Sequence, residues 1–357
     1  MKNKLIYLLL IIAFCWLAYL SFYPQQEEAV SGDTTIYTTK EISGFSTDLT
    51  KVAQNISDSL VTVESNSGLM TGFFYRSEGD AAYFLSAYHG IGEGEIKLHF
   101  TNSYVANAEL VAYDELADLC LLKAEFPYQI NGITFASAQN LSKGEFVLAF
   151  GSPASLDYDN TLSLGLIGSN ATVLENEISV NGENYEYYQV YGQMTSNLSE
   201  GFSGGPIFNM DGQLVGMSLF RDSNDQTLSF FLRSEEIDLL ARRMINAESV
   251  SRVNWGIKTK AINELADYLK AANAIELTLN EGLLIQEVKE NSLASLSNIR
   301  VGDILLEIND VEVNSQNDLF RLSFNDSDNY ELTILREGEE IKIPIVLNSE
   351  ESSENND

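Results

Sequence analysis

From about residue 59 to Leu232 the chain repeats one pattern: short apolar or alternating stretches, each closed by turn residues. Asn131-Gly132, Asn181-Gly182 and Asp211-Gly212 are hairpin signals, because these pairs accept the positive φ that tight two-residue turns require. Many short strands joined this way restrict the segment to a mainly β barrel or sandwich. Helical spacing borders it on both sides. Leu49, Val52 and Ile56 fall on one face of 45–56, with Ser46 as N-cap, and Ile237, Leu239, Leu240 and Met244 mark a helix over 234–246.

Within that β region, residues 199–206 read Ser-Glu-Gly-Phe-Ser-Gly-Gly-Pro. A serine between glycines and before a proline suits a nucleophile on a tight turn. Gly201 lacks a Cβ, so its N–H can approach a substrate, and the N–H groups of Gly201 and Ser203 can converge where an oxyanion forms. A serine hydroxyl needs a base, and the base needs an orienting group. The chain has only 2 histidines. His89 ends an apolar strand at a glycine-rich turn (83–92), whereas His99 sits in an alternating strand (95–100). Asp118 directly precedes the apolar run Leu-Cys-Leu-Leu, where a buried carboxylate requires a fixed partner such as an imidazole N–H. The order His89, Asp118, Ser203 is that of the chymotrypsin arrangement. The plain alternatives are a serine in an ordinary hairpin turn, a satisfied turn histidine, and Asp114 as the orienting acid.

These segments resemble the HtrA (Deg) family of serine proteases. Phe-Val-Leu-Ala-Phe-Gly-Ser-Pro (146–153), Leu-Ser-Leu-Gly-Leu-Ile-Gly-Ser (162–169) and Gly-Gln-Leu-Val-Gly-Met (212–217) extend the match from about residue 45 to about 347. The resemblance implies a chymotrypsin-like double β-barrel over 45–248 and a PDZ domain over 250–347, the latter marked by Val-Gly-Asp-Ile-Leu-Leu-Glu-Ile-Asn-Asp (301–310). It also implies a catalytic triad of His89, Asp118 and Ser203, with Met217, Ser218, Leu219 and Phe220 walling the primary specificity pocket. No aspartate lies in that run, so small or medium apolar side chains are expected there. Gly282, Leu283, Leu284 and Ile285 are expected as the carboxylate-binding loop for peptide C-termini, their alternative being a buried strand start. Phe202 departs from the family's asparagine, as do Gln193–Ser196 and Ser86–Tyr88 from its usual residues.

Lys2 and Lys4 precede an uncharged run from Leu5 to Tyr23, which at about 1.5 Å per residue nearly spans a hydrocarbon core of about 30 Å. An N-terminal transmembrane anchor (1–23) followed by a polar stalk (24–44) is expected, with the rest of the chain outside the cytoplasm. A cleaved signal peptide and a lipid-attached Cys15 are the competing readings. The tail 348–357 is acidic and expected to be disordered. A net charge of −31 disfavours nucleic acid and anionic lipid as partners. Cys15 and Cys120 are not placed to form a disulfide, and neither a metal nor a cofactor is expected. The family resemblance implies a homotrimer assembled through 45–56. The function expected is an extracytoplasmic serine endopeptidase acting on misfolded or regulatory proteins under the control of peptide C-termini. A chaperone-like binding protein with little proteolysis is the alternative.

Overall fold

The computed structural model describes residues 49–347, apart from 80, 127–129, 131, 153–154, 159, 181–182 and 222–226. The expected anchor, stalk, Ser46 cap and acidic tail lie outside the described residues. Among those described, no helix is long and apolar enough to cross a membrane.

After a helix α1 (49–56), six antiparallel strands close a first barrel. They are β1 (Leu60–Ser65), β2 (Gly68–Glu78), β3 (Ala81–Ser86), β4 (Ile96–Phe100), β5 (Val105–Asp114) and β6 (Leu119–Glu125), in the order β1-β2-β3-β6-β5-β4. Alternation supplies its core, with Val61 and Val63 from β1 and Leu98 and Phe100 from β4 pointing inward. Phe84 meets Phe74 and Phe100 edge-on, with ring centroids 5.8 and 5.7 Å apart.

A second barrel closes from β7 (Phe146–Gly151), β8 (Thr161–Val180), β9 (Glu183–Thr195), β10 (Pro206–Asn209), β11 (Leu214–Arg221) and β12 (Leu228–Arg233), in the order β10-β11-β12-β9-β8-β7. Phe231 fills its interior. A Cβ on Gly192 or Gly216 would land inside the Phe231 ring, so both neighbouring strands carry glycine there. The Asp211-Gly212 signal is a real turn: Gly212 has φ +75°, and the Asn209 side chain accepts from the N–H groups of Asp211 and Gln213 at 3.1 and 2.9 Å. Val180 pairs with Glu183 across the Asn181-Gly182 position. Asn131 of the Asn131-Gly132 signal lies outside the described residues. The described residues around it form no hairpin, because they belong to the connection between the barrels, from the end of β6 to the start of β7.

Helix α2 (Ser234–Ile245) closes this part of the chain, burying Ile237, Leu240, Ala241 and Met244. Its first turn holds Glu235 and Glu236 and its last turn Arg242 and Arg243, complementing the helix dipole.

The C-terminal unit is a sheet of β13 (Ile257–Ala261), β14 (Leu283–Val288), β15 (Ile304–Ile308), β17 (Asn329–Arg336) and β18 (Glu339–Val346), with β16 (Val311–Glu312) paired to β15. Three short helices flank it: α3 (Asp267–Ala272), α4 (Leu293–Leu296) and α5 (Gln316–Leu322). Ahead of α3, Ala261 ends a strand and Ile262–Glu264 form a single 3₁₀ turn.

Past Ile167 on β8 and before Gly192 on β9, these two strands pair only with each other among the described residues and leave the barrel as a two-stranded arm. The arm meets the C-terminal unit. Lys289 bridges Glu175 and Glu186 at 2.5 and 2.7 Å, and the Tyr188 hydroxyl donates to Glu287 at 3.2 Å. At the junction Arg252 forms a buried ion pair with Asp114, and Arg243 reaches Asp326 at 3.1 Å.

Candidate active site

Register brings the expected base, His89, and its expected orienting acid, Asp118, together. β3 pairs with β6 as far as Ser86↔Cys120, so the segments continuing from the paired ends carry His89 and Asp118 to the same place. There the Asp118 carboxylate makes two contacts with one residue. Oδ1 accepts the His89 backbone N–H at 2.7 Å, and Oδ2 lies 2.6 Å from Nδ1. Asp118 holds φ at +53°, a left-handed conformation that aspartate tolerates better than most residues. Cys120 fastens the approach to His89 from below, its buried thiol facing the carbonyls of Ser86 and Ala87 at 3.4 and 3.7 Å. Burial pushes that thiol's pKa up, which makes it inert.

The hydrogen bond to Asp118 raises the His89 pKa above 6.5, against the opposing effect of burial. The expectation of a buried Asp118 needs correction: its side chain is 25% exposed and that of His89 54%. The buried carboxylate of this loop is Asp114, the rival candidate, and it is committed elsewhere. Its oxygens accept from Arg252 and from the Ala117 N–H at 2.9 Å. His99 is committed too, with Nε2 2.6 Å from Glu64.

Ser203 arrives from the second barrel. Its turn lodges against the first barrel just beyond the last β2–β3 pair, Gly72↔Ser86. The Thr71 N–H donates to the Ser203 carbonyl at 3.0 Å, and Gly204 (φ +80°) presses on Thr71, Ser86 and Ala87 so closely that no Cβ fits. The turn that carries Ser203 therefore abuts the strand end that leads into His89. The Ser203 hydroxyl donates to the Leu219 carbonyl at 2.9 Å and not to His89. Among the described residues no acceptor faces the Gly201 and Ser203 N–H groups, the two donors expected to receive an oxyanion.

Phe202, the departure from the family's asparagine, is 4% exposed and joins the second barrel's core, its ring lying over Gly151. Of the four expected pocket residues, Met217, Ser218 and Leu219 are buried on β11. Only Phe220 exposes its side chain, stacked on Phe230 at 5.2 Å.

The expected peptide-binding residues Gly282–Ile285 are corrected by the sheet. β14 is an interior strand paired with β13 and β15, and the side chains of Leu283, Leu284 and Ile285 are buried in the core. Neither a free backbone edge nor an open loop exists there. β13 and β18 are the end strands of the sheet, and β13 faces α5. Across that gap Gln316 donates to the Thr259 carbonyl at 2.7 Å. A cleft of about 100 Å³ opens beside it, lined by Trp255, Ile257, Leu319 and Phe320 and by Tyr187 and Val190 of the arm. Among the described residues no cluster of histidine, cysteine and acidic side chains is arranged to hold a metal ion.

Comparison with known proteins agrees with this architecture. Residues 70–217 match the trypsin-like peptidase domain and residues 255–347 the PDZ domain. The chain carries one trypsin-like peptidase domain and one PDZ domain, and its homologues are HtrA serine proteases. A "Serine protease HtrA-like" from Staphylococcus epidermidis is 26% identical over 319 residues, covering 83% of this chain and 54% of the relative. The "Serine protease Do-like HtrA" of Bacillus subtilis is 25% identical over 303 residues, covering 83% and 66%. The chain thus spans about half the length of the staphylococcal relative. Among solved structures, the HtrA-type protease AlgW with tripeptide superposes with a TM-score of 0.58 at 19% identity, covering 83% of this chain and 95% of that one. The serine endoprotease from Yersinia pestis gives 0.52 at 21%, covering 83% and 96%. These likenesses are of fold.

Two features of the peptidase and PDZ domains escaped sequence reasoning. Nothing around Thr71 marks it as a contact of the nucleophile turn. The edge strand Ile257–Ala261 carried a readable signal in Trp255-Gly256-Ile257, which opens the domain, but the glycine at 282 drew the assignment instead.

Proposed function

We propose that this chain is a serine endopeptidase acting through His89, Asp118 and Ser203. The two-point contact between Asp118 and His89 carries the reading, since it fixes the ring and leaves Nε2 as the free nitrogen. In the reaction the Ser203 hydroxyl turns from Leu219 to His89. Nε2 takes the hydroxyl proton as Oγ attacks the peptide carbonyl carbon, and the Gly201 and Ser203 N–H groups receive the developing oxyanion. Nε2 then returns the proton to the leaving amine, giving the acyl-enzyme. Water, deprotonated by the same nitrogen, releases the acid. Labelling by a fluorophosphonate probe at Ser203, lost in Ser203→Ala and in His89→Ala, is the test. Full labelling in His89→Ala would refute the triad.

The wider reading extends this activity to misfolded or regulatory proteins outside the cytoplasm, with Leu5–Tyr23 as a membrane anchor and three copies assembled through 45–56. A soluble chain lacking residues 1–30 that runs only as a monomer on gel filtration would count against the trimer. Peptide C-termini are proposed to dock along β13 opposite α5, adding a strand at the open edge. The peptide-bound HtrA-type structures support that class of ligand. A peptide there favours the active state only if it binds the two states unequally.

The Ser203–Leu219 hydrogen bond supports a second reading, a holding protein whose serine stays turned away. In that case Ser203→Ala retains full biological function, whereas closing the β13 edge abolishes it.

A further inference from the structure

We infer that Thr71, on β2 of the first barrel, is the positioning residue that sets the oxyanion hole. Thr71 is 2% exposed and grips the nucleophile turn on both sides of Phe202. Its hydroxyl donates to the Gly201 carbonyl at 2.6 Å, and its N–H donates to the Ser203 carbonyl at 3.0 Å. Its own carbonyl accepts from the Ser86 hydroxyl at 2.7 Å, three residues before His89. One residue therefore joins both oxyanion-hole residues to the segment that carries the base.

The hydroxyl has a specific task. Gly201 has φ +91° and no Cβ, so the local restraint on the peptide that follows it is one long bond, from the Phe202 N–H to the Ser199 carbonyl at 3.2 Å. Rotation would swing the Gly201 carbonyl oxygen, itself negative, toward the space where the oxyanion must develop, and would re-aim the neighbouring donors. The Thr71 hydroxyl prevents this by holding that carbonyl on the first-barrel side. The hydroxyl is itself oriented, since it accepts the Ser152 N–H at 2.9 Å, and the Ser152 hydroxyl in turn accepts from Thr62 at 2.6 Å. The chain Thr62–Ser152–Thr71–Gly201 joins the inner ends of both barrels to one carbonyl.

This inference rests on the acyl-enzyme reading, and the experiment separates the two. Steady-state peptide hydrolysis and fluorophosphonate labelling are measured for wild type, Thr71→Val, Thr71→Ser and Thr62→Val. Thr71→Val keeps shape but releases the Gly201 carbonyl. Its kcat should fall about 10- to 100-fold, toward the loss of one oxyanion donor, with KM within about twofold. Thr71→Ser restores the hydroxyl and should recover most of that loss. Thr62→Val removes only the outer end of the network and leaves the Thr71–Gly201 bond in place, so its kcat should fall less than that of Thr71→Val. If Thr71→Val does not fold, Thr71→Ala removes the hydroxyl without new bulk and carries the same comparison. Wild-type kcat in the folded Val or Ala variant, or an equal loss in Thr62→Val, overturns the positioning role while wild-type labelling still stands. Absence of labelling in wild type overturns the protease reading itself.

Discussion

Gly204→Ala should silence the nucleophile turn while leaving both barrels folded. Two costs are built into the position. Gly204 holds φ at +80°, where a side chain adds about 1–2 kcal/mol of backbone strain. A Cβ there would also stand 2.6 Å from the Ser86 hydroxyl and 2.7 Å from the Ala87 nitrogen, and closer still to the Thr71 carbonyl. Two of those three atoms are backbone and cannot rotate aside, so the turn must retreat by about 0.5–1 Å. Retreat stretches the Thr71–Ser203 hydrogen bond and carries Ser203 away from His89, and a misplacement of about 1 Å costs on the order of 10²-fold in rate. The assay is the second-order rate of fluorophosphonate labelling at Ser203, run beside a thermal melt. Labelling should slow about 10²-fold and Tm should fall by roughly 2–8 °C. Gly302→Ala is the control. That glycine has φ +94° with nothing within 4 Å of a Cβ, so it bears the backbone strain alone and should lose only stability. Wild-type labelling in Gly204→Ala would refute the claim that this contact positions the nucleophile.

Asp118→Asn should keep the fold, because asparagine also tolerates φ near +53°, yet lower peptide hydrolysis about 10⁴-fold by favouring the wrong His89 tautomer. His89 should titrate by NMR with a midpoint above 6.5 in wild type, His99→Gln serving for assignment, and the midpoint should drop in Asp118→Asn. The folded state binds this proton more tightly than the unfolded one. Its contribution to stability is therefore complete below about 6.5 and disappears as pH rises through the folded value, whereas activity fades as pH falls through that same value. Arg252→Ala strands Asp114 in a buried site and should cost about 3–5 kcal/mol in urea unfolding. Phe202→Ala empties part of the second barrel's core and should cost about 3–5 kcal/mol by the same measurement.

What the sequence made legible was chemistry held in contiguous residues. Ser-Gly-Gly-Pro, a histidine ending an apolar strand and an aspartate opening one each declare a local geometry, and antiparallel pairing of β3 with β6 delivers two of them to the same point. What it concealed was chemistry created by contact between distant segments. Thr71 and Gly201 are 130 positions apart, and no local pattern distinguishes this threonine from any other strand threonine. The misplaced peptide site has the opposite origin. Gly282-Leu-Leu-Ile offered a glycine where a loop was wanted, but three consecutive aliphatic residues are the mark of a strand covered on both faces, and the sheet buries them. A ligand-binding edge must keep one side of its backbone open, and of this sheet's two end strands, β13 and β18, the proposed docking edge is β13, the one linked to α5 through Gln316. Phe202 shows the same competition at the active site. A reader comparing residue types sees a departure next to the nucleophile, whereas the fold uses the ring as an anchor in the second barrel and asks only backbone geometry of that position. The nucleophile turn is thus fixed from both sides, by an aromatic ring in one barrel and by a threonine from the other. Its geometry at Ser203 depends on the two barrels keeping their mutual position, so a signal that reaches the barrel interface can change the rate without touching a catalytic residue.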